Sequence, residues 1–120
     1  MKDFRVDICM YKWVNSVTSY AAAGFDWDAG NRGKCTKHGV SLGEIEEVFA
    51  GPMVVAPDPK HSSGEERLIA IGRTSKDRPV FVAFTIRKMA DSTFIRPISA
   101  RYMHKKEIVA YEKKSSEAED

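Results

Sequence analysis

Lys37 and His38 stand side by side in KCTKHGVS (residues 34–41), directly before a glycine and a serine. Imidazole is the side chain that exchanges protons near neutrality. A neighbouring ammonium adds positive charge, so the pair could move a proton on an anionic substrate. Arginines form a second group, with Arg73 at the end of one expected strand, Arg87 just past the next and Arg101 at the start of an expected helix. Guanidinium binds phosphate with two parallel hydrogen bonds and keeps its charge. Strand ends can converge on one sheet edge, and a helix opening at Ser99–Arg101 would add free N–H groups for an anion. Plainer readings stand beside these. Cations in a last helical turn offset the helix dipole, and arginines at strand ends solvate a rim. The residues alone leave both open.

At 120 residues the chain has room for one core. Its 42% hydrophobic and 30% charged residues are ordinary globular composition. No apolar run approaches the length of a membrane span, and the N-terminal segment MKDFRVDICMYKW lacks the apolar centre of a secretory signal. Cys9 and Cys35 lie far apart with no metal-ligand spacing and are expected as reduced thiols of a cytoplasmic protein. His38, His61 and His104 lack the cysteine or carboxylate spacing of a metal site. No metal and no cofactor is expected. The net charge of +2 hides an asymmetry: residues 67–114 carry 12 Lys and Arg against 4 Asp and Glu. A basic half on a nearly neutral chain suits an anionic ligand or an acidic partner.

The elements that must position these groups follow from periodicity. Residues 1–24 read as an extension, flexible or even an upstream start, with alternation at Phe4, Val6 and Ile8 and a second candidate initiator at Met10. FDWD (25–28) reads as a short strand, and Asp28 caps a weak helix over about 29–38. Gly39 supplies the left-handed residue that ends it. Ser41 and Glu44 form a capping box, with Val40 and Ile45 as its hydrophobic staple. Leu42, Ile45, Val48 and Phe49 share one face of that second helix, which Gly51-Pro52 stops. Strands follow at 53–56, 66–72, 79–85 and 93–99, with Pro97 demanding an edge or a bulge. Ser99 reads as the cap of a last helix over about 100–114, and 115–120 as an acidic tail. The fold class is α+β: an antiparallel sheet of about four strands, with two N-terminal helices and one C-terminal helix on one face.

FDWD, KHGVS, EIEEVF, IAIGRT, VFVAFTIR, RPISARYM and the spacing of Glu107 and Tyr111 resemble, in order, the BrnT-type toxins of type II toxin–antitoxin systems. The resemblance covers roughly residues 25–112, and the chain departs from the family pattern at Asn31, Lys34 and Pro97. It implies a fold related to RelE ribonucleases and a domain over 25–114. It also implies a metal-independent endoribonuclease that inhibits translation, acting on RNA free or on the ribosome. The implied partner is a BrnA-type antitoxin with a ribbon-helix-helix domain, through which the pair reaches operator DNA. On that basis Lys37, His38, Arg73 and Arg101 are the expected catalytic set. Arg67, Arg87, Tyr102 and Lys105 are the expected RNA contacts, with the Tyr102 ring as a stacking platform. Two rival readings remain: a non-catalytic RNA- or ribosome-binding module, and an interaction protein that holds an antitoxin on DNA.

Overall fold

The structure, a computed structural model, describes residues 14–16 and 22–119. Its frame is a sheet in the order β1-β3-β4-β5-β6-β2. The strands are β1 (Val14–Ser16), β2 (Gly24–Phe25), β3 (Met53–Pro57), β4 (Leu68–Arg73), β5 (Pro79–Met89) and β6 (Ser92–Tyr102). Two helices, α1 (Ala29–Thr36) and α2 (Leu42–Ala50), precede β3, and α3 (Lys105–Glu119) follows β6. The four longest strands pair antiparallel in succession, as short connecting turns require. The segment read as an extension contributes β1, antiparallel to β3, and Gly24 of β2, which runs parallel to β6; of the strand expected at 25–28 only Phe25 belongs to the sheet. The α+β class holds, with a larger sheet than expected. The alternation at Phe4–Ile8, Cys9 and Met10 lies outside the described residues. No helix among the described residues is long and apolar enough to cross a membrane.

Successive strand residues face opposite sides of a sheet, and here both sides are apolar. Val55, Ala70, Val80, Val82 and Phe84 join Cys35, Ile45, Val48 and Phe49 in the core beneath α1 and α2. On the other side Val54, Ile69, Ile71, Phe81 and Met103 form a second core, against which Ile108 and Tyr111 of α3 pack. The expectation that all helices share one face is therefore corrected. A sheet that is apolar on both faces buries both. Gly72 lets α2 approach closely, since a Cβ there would stand 2.8 Å from Cγ1 of Val48.

The first two helices form as their caps dictate. Asp28 accepts from the Asn31 N–H at 2.9 Å while the Asn31 side chain accepts from the Asp28 N–H at 2.7 Å. Asn31 also donates from its amide to the Pro97 carbonyl at 2.9 Å, tying α1 to β6. Ser41 and Glu44 make the expected box at 3.0 and 3.1 Å. Gly39, at φ +92°, makes the corner between the helices, and Val40 and Ile45 are buried in the same core. Pro97 sits at a register shift, where Ala83 faces Ser99 and Phe84 faces Pro97. The residue between, Ile98, is the bulge.

The end of the chain departs from expectation. β6 continues to Tyr102, so Ser99 lies in a strand and caps no helix, and Arg101 is not at a helix start. Residues 99–102 form the ladder opposite Val80–Ala83, and that apolar strand needs a partner along its full length. α3 opens at Lys105, where Glu107 accepts from the His104 N–H at 2.8 Å.

Candidate functional site

Tyr102 pairs with Val80 in the ladder and packs on the core beneath α1 and α2. The turn from Thr74 to Arg78 returns Arg78 to the same side. Thr74 is buried, and its hydroxyl accepts from the N–H groups of Lys76 and Arg78 at 3.2 and 3.3 Å. The Arg78 guanidinium lies over the Tyr102 ring, 3.3 Å from its centroid, a cation–π contact. The Tyr102 hydroxyl donates to Glu44 Oε1 at 2.7 Å and, more weakly, to the Gly39 carbonyl at 3.4 Å. The elbow between α1 and α2 is thereby joined to the end of β6. Lys37 and His38, both exposed, immediately precede that glycine.

Beside this join lies an open cleft of about 480 Å³, with Ser41, Glu44, Glu47, Lys76, Arg78 and Tyr102 among its lining residues. Its electrostatics are mixed. Glu44 is held below the ordinary glutamate range by the Ser41 N–H and then by the Tyr102 hydroxyl. Tyr102 is pushed up by the same bond to Glu44. A phenol so held keeps its proton at neutral pH and has already committed it to Glu44. Lys76 and Arg78 give the cleft its positive charge, opposite in sign to Glu44 and Glu47. Cys35, just upstream, is buried and its thiol is raised to about 11 by burial, which keeps it protonated.

The fold does not bring Arg73 and Arg101 to this place. Arg101 adjoins Tyr102 and so faces the opposite side of the sheet. There its guanidinium stacks over Phe81 at 4.6 Å and grips both oxygens of Glu107 at 2.8 Å each. Only 7% of its side chain is exposed. Arg73 is on that side too, with ion pairs to Asp77 at 3.5 Å and Glu112 at 3.4 Å. Both arginines fasten α3. The convergence of Arg73, Arg101 and His38 on one patch is thus corrected: the sheet stands between them.

The expected RNA contacts divide likewise. Tyr102 lines the cleft, whereas Arg87 is paired to Glu65 at 3.1 and 3.3 Å. Arg67 lies 3.6 Å from the buried Asp58 carboxylate, and Lys105 is exposed in the first turn of α3. Trp27 packs on the core, as expected, and donates to Glu46 at 3.0 Å. Arg78 and Lys76 escaped the sequence reading because a turn arginine carries no local mark. Only the Val80–Tyr102 register, far along the chain, reveals the stack.

The Arg101–Glu107 pair gives stability a pH dependence. Burial raises the Glu107 carboxyl, but hydrogen bonds from Arg101 and the His104 N–H outweigh it, and the net shift is below the ordinary 4.5. A carboxylate with a depressed folded value adds stability above its unfolded value and loses it as pH falls through the folded one. Glu44 has the same sign. The melting temperature should hold from neutral pH down to about 4.5 and fall below it, and Glu107→Gln should flatten that fall. Thermal melts by circular dichroism between pH 7 and 3 check both.

No curated protein matches the chain. A family model described as "Ribonuclease toxin, BrnT, of type II toxin-antitoxin system" matches residues 27–107.

Proposed function

Because this chain belongs to the BrnT family of ribonuclease toxins of type II toxin–antitoxin systems, we propose that it cuts RNA at the cleft beside the α1–α2 elbow. The observation that carries the reading is the Tyr102 hydroxyl bridging Glu44 and the Gly39 carbonyl, with His38 next to that glycine and Arg78 stacked on the ring. In the proposed reaction the 2′-oxygen attacks the adjacent phosphorus, and the bond from phosphorus to the 5′-oxygen breaks. The products are a 2′,3′-cyclic phosphate and a free 5′-hydroxyl. His38 carries the proton between these oxygens. Lys37, Lys76 and Arg78 neutralise the phosphate as it gains charge. Tyr102 and Glu44 hold Arg78 and the elbow in place.

The cell consequence is arrest of translation in the cytoplasm, relieved when a BrnA-type antitoxin with a ribbon-helix-helix domain covers the basic face. Operator DNA is reached through that antitoxin alone. Purified protein incubated with single-stranded RNA in excess EDTA tests the chemistry. Cleavage should persist, leave cyclic phosphate ends and cease when the antitoxin is added. Cleavage that vanishes with EDTA and returns with a divalent cation would refute the metal-independent step. Binding of RNA without any cleavage would favour the non-catalytic module.

A further inference from the structure

Tyr102 was expected to offer its ring to a base, but Arg78 already occupies one face of it at 3.3 Å from the centroid. The platform presented to the cleft is then the guanidinium plane of an exposed arginine, a surface on which RNA bases stack as readily as on aromatic rings. Glu47 lines the same cleft. Its Oε1 accepts from the Ser75 N–H at 3.1 Å, which anchors the carboxylate against the turn carrying Lys76 and Arg78. Its Oε2 has no partner among the described residues. Glu44, by contrast, is committed, since its Oε1 takes both the Ser41 N–H and the Tyr102 hydroxyl.

We propose that this cleft is a guanine subsite, in which a base stacks on Arg78 and presents its Watson–Crick edge to Glu47. The inference rests on the ribonuclease reading above and adds to it the identity of a base. A carboxylate offers acceptors only. Among the four RNA bases guanine places two adjacent donors, N1–H and the exocyclic amino group, on that edge. Adenine and cytosine place one donor beside an acceptor, and uracil one donor between two acceptors. A fixed carboxylate therefore gains two charge-assisted bonds from guanine and meets a repelling lone pair on each of the others. Lys76, exposed on the same turn, is placed to take the phosphate.

Titration of the protein with each of GMP, AMP, CMP and UMP, followed by amide chemical shifts, tests the subsite without any cleavage. GMP should bind about tenfold or more tighter than the others, with the largest shifts at Ser75, Arg78 and Tyr102. Glu47→Gln should erase the preference while leaving weak binding of all four, and Arg78→Ala should weaken all four alike. A Glu47→Gln protein with native amide dispersion keeps the comparison valid. Equal affinity for the four nucleotides, or a guanine preference that survives Glu47→Gln, would overturn the subsite. RNA cleavage dependent on His38 would still stand in that case, so the two readings fail separately.

Discussion

His38→Ala should slow RNA cleavage by about 10²–10⁴-fold, the usual contribution of a positioned proton-transfer group, and leave the melting temperature within about 1 °C, as expected of an exposed surface residue. His38 is exposed, lies two residues past the end of α1 and stands outside both hydrophobic cores, so its loss removes no packing. Induction of the variant without antitoxin should no longer arrest growth, while antitoxin binding persists. Cleavage of an end-labelled RNA and a thermal melt on the same preparation check the two halves together. Loss of activity with a lowered melting temperature would assign His38 to the fold instead.

Arg101→Ala should cost about 3–5 kcal/mol of stability, the effect of removing one partner from a buried ion pair. The guanidinium satisfies both Glu107 oxygens, and Glu107 also holds the first turn of α3 through the His104 N–H. The substitution strands a carboxylate between α3 and the sheet and opens the second core at Phe81. A fall in melting temperature of about 10 °C or more is expected for a chain of this size. Replacing both partners, Arg101→Met with Glu107→Leu, should recover most of it, because well-packed apolar residues substitute for buried ion pairs at little cost. Denaturant titration of the single and double variants measures the coupling. Loss of cleavage in Arg101→Ala should accompany unfolding, and the folded double variant should still cut RNA. An inactive but fully stable Arg101→Met/Glu107→Leu protein would restore Arg101 to the nuclease centre.

Local chemistry makes much of the fold readable in the sequence. The Ser41–Glu44 box, the left-handed Gly39 and the apolar run of β5 each depend on residues near one another in sequence, and each stands where the pattern put it. Pro97 announced a bulge because it cannot donate to a ladder, and the register shift lies there. What misled was the junction at residues 99–102. Ser99 looks like a cap, yet the same four residues alternate as a strand, and the partner strand at Val80–Ala83 decides the matter. That choice moved Arg101 from a helix start to a sheet face. It also allotted α3 to the side away from α1 and α2, which no local period could fix.

The candidate site was legible in part for the same reason. His38 and Lys37 are marked by the corner that follows them, and Tyr102 by its basic surroundings. Arg73 and Arg101 do share a face of the sheet, but it is the face that α3 covers, and both are paired there to its carboxylates. Arg78 carries no such mark, because its value lies in a contact across 24 residues of chain. Strand-end arginines are read by parity, and parity assigns a face only once the helices have taken sides.

Titration of the labelled protein with a 2′-O-methyl oligonucleotide, which binds as RNA but supplies no attacking hydroxyl, locates the nuclease centre most directly. Amide shifts should concentrate at residues 37–44, at 74–78 and at Tyr102, with saturation blocked by the antitoxin. Shifts concentrated instead along α3, with its Arg73 and Arg101 pairs, would place RNA on the other side of the sheet and contradict the elbow as the catalytic site.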